Sequence, residues 1–222
     1  MIKYSAEVAT AQKNGSPIVA LESTIISHGL PRPKNLIVAQ EVEAIVRNAG
    51  ATPATIAVID GTVCVGLDQK QLERIATDDQ IVKASVRDLA LIQAGKKSAA
   101  TTVAATAHIA YLAGINVFAT GGLGGVHRGN SFDESADLVA MSKIAIIIIS
   151  AGVKSILDVP ATLERLETLS IPVLGYKTKI FPGFYLTDSG YVIEHQVNSA
   201  NEIAQIWRAR GELKTDECSV RI

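Results

Sequence analysis

The ten residues IAIIIISAGV, Ile144 to Val153, carry no charged side chain. So apolar a run must be buried, yet it is about half the ~20 residues that a membrane-crossing helix needs. It reads as a strand buried on both faces, the kind found in parallel sheets covered by helices. Parallel strands need crossover connections, usually helical, and the rest of the chain supplies them. Strand-like runs occur at PIVALEST, IAVIDGTVCVGL, QIVKAS, INVFATGG and IPVLGYKT. Between them lie helical patterns. NLIVAQEVEAIVRNAG spaces Val38, Val42, Ile45, Val46 and Ala49 helically and stops at Gly50. DQKQLERIA has Asp68 as a plausible N-cap, and SAATTVAATAHIAYLAG is a small-residue helix ending at Gly114. SFDESADLVAMSK opens on capping residues. KSILDVPATLERLETLS holds Pro160, near its start or at a kink, and SANEIAQIWRARG opens on a Ser199/Glu202 capping box. The alternation predicts an α/β fold, three-layer α/β/α, with a largely parallel central sheet. Asp60-Gly61 is a hairpin signal, so the sheet is expected to be mixed. The stretch with His28, Gly29, Pro31 and Pro33 reads as loop.

Composition narrows the classes of function. The net charge of −1 gives no basic surface for nucleic acid or for a membrane. Two distant cysteines, Cys64 and Cys218, suit a reducing compartment, and the N-terminus lacks the apolar segment of a signal peptide. A cytoplasmic protein with one domain over residues 1–222, ending in a polar tail at 211–222, is expected. Cys64 is expected to pack within its strand. No GxSxG elbow, HExxH or zinc-type His/Cys spacing is present.

In parallel α/β sheets, ligands bind at the loops that leave the C-terminal ends of strands. Glu22, Lys83, the loop TGGLGGVHRG and Lys154 all follow strand-like runs. The glycines of that loop allow close backbone approach and positive φ, and His127 and Arg128 add cationic character. Anion binding and a flexible strand exit are both compatible with it. Asp133 and Asp137 are four apart, so on a helix they would share a face and hold a divalent ion through waters, or simply complement the helix dipole. Lys154 follows the most apolar run. Burial disfavours the ammonium and would make it nucleophilic, while solvent exposure at a helix start would not. Glu22 ends a buried strand, where an acid is paired or used, as proton donor or in a salt bridge.

Longer motifs carry a resemblance. ALESTIISHGLPRP, PATIAVIDG, TTVAAT, FATGGLGGVHRG, FDESADL and AGVKSILD occur in this order. From about Pro17 to about Arg210 the chain resembles the pseudouridine-5′-phosphate glycosidase family, which includes indigoidine synthase A-like proteins. The resemblance implies reversible cleavage of a C–C glycosidic bond, giving uracil and ribose 5-phosphate, with a divalent metal, typically Mn²⁺. It implies Lys154 as the nucleophile that forms an imine with the ring-opened sugar, and Glu22 as proton donor. Lys83, Val103, Ser135, Ala136 and Asp137 correspond to substrate-binding positions, His127 and Arg128 to the phosphate side, and Asp133 to the metal ligand. It also implies a homo-oligomer, a trimer, acting on a nucleotide or sugar phosphate. The family domain continues past the position of Ile222, so the C-terminal part of that domain is expected to be missing from this sequence, as a natural short form or as a fragment. At Asn130-Ser131 it joins HRG to FD by fewer residues than the family uses. Two other readings stay open: sugar-phosphate binding without turnover, and an imine-forming aldolase.

Overall fold

The computed structural model describes residues 2–129, 133–213 and 220–221. The Asn130-Ser131 join and Cys218 lie outside them. The chain divides into two compact units, Met1–Ala119 and Thr120–Ile222.

The first unit begins with β1 (Ile2–Tyr4), α1 (Ala6–Asn14) and β2 (Ile18–Leu21), then α2 (Lys34–Asn48), β3 (Thr52–Ile59), β4 (Thr62–Val65) and α3 (Gln69–Thr77). It continues through β5 (Val82–Ala84), α4 (Leu89–Ala94), β6 (Ala99–Thr101), α5 (Val103–Leu112) and β7 (Val117–Ala119). The strand order is β1-β4-β3-β2-β7. The pairs β1/β4, β2/β3, β2/β7 and β5/β6 are parallel, while β3/β4 and β3/β6 are antiparallel. This is the mixed, largely parallel α/β sheet that the sequence predicted, with helices on both sides.

One edge of β3 changes partner midway. β2 covers Thr52–Thr55, and β6 covers Ala57 and Val58. The carbonyl of Ile56, at the changeover, is satisfied by side chains instead: Ser23 Oγ donates to it at 2.6 Å and Thr101 Oγ1 at 2.7 Å. Buried backbone acceptors must find such partners. The hairpin forms as its Asp-Gly pair demands. Asp60 (φ 47°) and Gly61 (φ 77°) are both left-handed, as a type I′ turn requires.

Several elements differ from the sequence reading. The opening of SAATTVAATAHIAYLAG is strand β6, and the helix starts only after Thr102, whose hydroxyl accepts the Ala105 N–H. β1 and α1 were not legible, because α1 buries only Val8 and Ala11. Residues Ile25–Gly29 form a single π-helical turn rather than an irregular loop. Ser27 Oγ ties it to the Ile75 carbonyl, and Asn35 Nδ2 ties it through the Ile26 carbonyl. In α2 the helix is as expected, but its buried side carries Asn35, Ala39 and Glu43. Glu43 tolerates burial because it accepts hydrogen bonds from Thr55 Oγ1 (2.6 Å) and Arg47 (3.2 Å). Ile37 and Ile45 are left 51% and 66% exposed.

The second unit contains β8 (Val126–His127), α6 (Ala136–Ser142), β9 (Ile147–Ile149), β10 (Leu157–Asp158), α7 (Val159–Thr168), β11 (Leu174–Tyr176), β12 (His195–Val197), α8 (Ala200–Glu212) and β13 (Val220–Arg221). The pairs β9/β13 and β11/β12 are parallel, and β8/β10 is antiparallel. The apolar run around β9 is buried at Ile146, Ile147 and Ile148, as expected, and opens to solvent at Ile149. Asp158 caps α7 and Pro160 lies in its first turn, where its missing N–H costs nothing.

Candidate active site

In the first unit, three predicted residues gather around the β3 changeover. Glu22 follows β2 directly and is 8% exposed. Its neighbour Ser23 accepts the Thr101 N–H at 2.9 Å, which links the end of β2 to the end of β6. Two residues further, Val103 opens α5 and is buried. Lys83 stands opposite Ala100 in the β5/β6 register and is exposed, while the Thr102 N–H donates to Ala84 O. Ser23, Thr101 and Thr106 form a buried hydroxyl chain, with 2.8 Å between the two threonines. These hydroxyls were missed in the sequence; only their clustering in ALEST and TTVAAT hinted at them. Thr24 Oγ1, also buried, has no hydrogen-bond partner among the described residues.

In the second unit, the glycine loop, the acidic segment and Lys154 are joined by backbone hydrogen bonds. The Lys154 N–H donates to Leu123 O at 3.1 Å, and Leu123 and Val153 form a parallel bridge. The His127 N–H donates to Asp133 O (2.8 Å), and the Ser135 N–H to Gly125 O (2.9 Å). Asp137 is 6% exposed and its Oδ2 accepts the Gly124 N–H at 2.9 Å. Ser135 caps α6 by accepting the Asp137 N–H, and Ala136 is that helix's first residue.

Gly122, Gly124 and Gly125 serve close packing, not positive φ; among the described residues of this loop, Gly129 is the left-handed one, at φ 80°. A Cβ on Gly124 would lie 2.1 Å from Ser135 Oγ, and one on Gly125 would lie 2.4 Å from Thr162 Oγ1. The N–H groups of Leu123, Gly124, Val126 and His127 are all engaged within the unit. The loop is therefore a tightly packed junction whose backbone donors hold the acidic segment and α7.

Two expectations from spacing are not met. Asp133 and Asp137 do not share a helix face, because α6 begins after Ser135 and leaves Asp133 in extended chain. Lys154 is not at a helix start: α7 begins at Val159, after β10. Lys154 is partly buried. Arg128 faces backbone, donating to Leu157 O (3.2 Å) and Ser155 O (3.3 Å) in the turn after Lys154.

The fit of a divalent ion can be judged from the donors. Asp133 is exposed, with its Oδ2 3.7 Å from His127 Nδ1. Among the described residues, no three His, Cys, Asp or Glu side chains come together. Such a set cannot cage an ion. It suits a hard cation that keeps most of its waters and takes a single protein carboxylate. Among the described residues no helix is long and apolar enough to cross a membrane.

Comparison with known proteins gives these residues a context. The family model for indigoidine synthase A-like proteins matches residues 7–221. The pseudouridine-5′-phosphate glycosidase of Saccharopolyspora erythraea is 57% identical over 212 residues, 95% of this chain and 70% of that protein. The one from Streptomyces griseus is 58% identical over 211 residues, 94% of this chain and 65% of that protein. The chain thus spans about two thirds of these relatives' length. Among solved structures, the prealnumycin C-glycosynthase AlnA in complex with ribulose 5-phosphate superimposes with a TM-score of 0.92 at 37% identity, over 100% of this chain and 72% of that one.

Proposed function

The chain belongs to the indigoidine synthase A-like family, and from that membership we propose that it cleaves pseudouridine 5′-phosphate reversibly to uracil and ribose 5-phosphate. The observation that carries the reading is the junction in the second unit. There Lys154 is tied through Leu123 to the same loop that holds Ser135 and Asp137. A nucleophile and a polar binding segment are thereby fixed to one another. The relative AlnA, solved with a pentulose phosphate, supports a sugar phosphate as ligand.

In the proposed reaction the Lys154 amine adds to C1′ of the sugar, and the ring oxygen leaves with a proton. Glu22, as carboxylic acid, protonates C5 of the uracil ring. The nitrogen lone pair then expels uracil and forms the C1′=N imine, so no heteroatom leaving group is needed. Water hydrolyses the imine to ribose 5-phosphate and restores the amine. Lys83, Val103, His127, Arg128, Ser135, Ala136 and Asp137 are the proposed substrate contacts. Asp133 would hold the divalent ion, Mn²⁺ in this proposal, which supplies Lewis-acid stabilisation of negative charge when bound. We propose a cytoplasmic trimer as the working form, supported by the family resemblance and by the exposed Ile37 and Ile45 of α2.

The test is uracil release from pseudouridine 5′-phosphate, with and without Mn²⁺, alongside borohydride trapping with ribose 5-phosphate. Uracil release and an adduct mapped to Lys154 are expected. Binding of ribose 5-phosphate with neither uracil release nor adduct would reject the proposal.

A further inference from the structure

We infer that Arg165 of α7 is a positioning residue that sets which acids of the FDESAD segment face the substrate. The inference rests on the function proposed above for Asp133 and Ser135. Residues 133–135 are extended and run antiparallel to β8: Val126 bridges Glu134, and hydrogen bonds from His127 to Asp133 and from Ser135 to Gly125 flank that bridge. Successive side chains of extended chain point to opposite sides. Glu134 therefore points away from both Asp133 and Ser135.

Arg165 meets Glu134 through both oxygens, Nε to Oε2 at 2.7 Å and Nη2 to Oε1 at 2.9 Å. Such a forked pair fixes geometry as well as charge. One helical turn earlier, fully buried Thr162 accepts the Val126 N–H at 3.0 Å and donates to Asp158 O at 2.6 Å. Thr162 and Arg165, three residues apart on α7, thus hold the two facing stretches together, one at Val126 and the other at Glu134.

The adjacent acids make this grip decisive. Asp133 and Glu134 are both carboxylates, and a slip of one residue would exchange their sides. Asp133 would then face α7 and Glu134 would take its place beside His127. A longer side chain on the substrate side would displace the polar groups from their working positions. Arg165 resists this exchange, because Glu134 is the acid it meets, among the described residues, in the observed register.

Two variants test the inference, Arg165→Met and the milder Glu134→Gln, each first checked for folding by its melting transition. Amide hydrogen exchange of His127 and Ser135 reads the register directly, without turnover. Both amides are expected to lose protection in Arg165→Met and partly in Glu134→Gln, while Leu123 and Lys154 stay protected. Steady-state kinetics on pseudouridine 5′-phosphate are expected to show kcat/KM lowered roughly ten- to hundredfold, since small misplacements of reacting groups cost this much. Arg165→Lys should recover only part of it. Unchanged protection at both amides would overturn the inference. So would lost protection with unaltered kinetics, because Arg165 would then only brace the fold. If the wild-type chain releases no uracil, the proposed function fails, and the exchange comparison alone still decides the register.

Discussion

Lys154 and Glu22 carry the proposed chemistry. Glu22 was legible because a carboxylate at the end of an apolar strand is costly unless used, and it is indeed buried. Replacing it by Gln keeps the shape and removes the acid. kcat for uracil release should fall about 10²- to 10⁴-fold, the usual contribution of a general acid. Lys154→Ala should abolish the borohydride-trapped adduct outright, which mass spectrometry of the digested protein would show. An adduct persisting in that variant would move the nucleophile elsewhere. Lys154 was legible as a lysine after a very apolar run, but a helix does not follow it directly. The turn through Ser155 and strand β10 intervene before α7, and no periodicity in KSILD announces them. Cys64 packs in β4 as expected, and burial raises its thiol pKa, so it reads as a core residue.

At the scale of elements, the glycine loop and the β3–β4 hairpin show two uses of glycine. Gly61 is there for backbone conformation: φ is 77°, and a Cβ would also lie 2.7 Å from Gln93 O. Gly124 is there for space. Gly124→Ala should cost about 1–3 kcal/mol, as overpacking does, and displace Ser135 and Asp137. Urea denaturation would measure the first effect and KM the second. The hairpin is further held by Arg74, which grips Asp60 through two 2.8 Å bonds. The Arg74 guanidinium, with help from Ser98, holds the Asp60 carboxyl below its ordinary value of 3.8. A lowered folded-state pKa stabilises above the unfolded value and is lost as pH falls through the folded one. The urea midpoint of the wild type should therefore exceed that of Arg74→Met at neutral pH. The difference should shrink below about pH 4. A gap that stays constant into strong acid would show that the pair has no such linkage. The hairpin was legible from two adjacent residues. Its grip by α3 was not, because Asp60 and Arg74 are joined by tertiary folding.

For the whole molecule, two compact units each contain part of the residue set that the family resemblance implied. Glu22, Lys83 and Val103 belong to the first, and the glycine loop, the acidic segment and Lys154 to the second. A saturating ligand stabilises what it binds by mass action. Ribose 5-phosphate at a hundredfold over its Kd should add about 2.7 kcal/mol and raise the melting midpoint by roughly 5–10 °C. Calorimetry with and without the sugar would show this, and no shift would count against binding. The proposed trimer should appear in light scattering at three times the chain's 23.4 kDa. Ile45→Glu on the exposed side of α2 should weaken it. A monomer at all concentrations would reject the assembly.

Sequence alone carried the layered α/β pattern, the Asp-Gly hairpin, the Asp68 and Ser199 helix caps and the burial of Glu22. These follow from local rules: periodicity, turn conformation and the cost of burying charge. Tertiary structure decided which face of α2 is buried, because Asn35 and Glu43 found partners in the α3 and β3 regions that no helical spacing reveals. It also decided what the glycines do and which carboxylate turns inward. Glu134 faces Arg165, thirty-one positions away in sequence. Asp133 and Glu134 are nearly alike in chemistry. The side each takes is set by strand register against β8 and α7, and register exists only once those elements have packed.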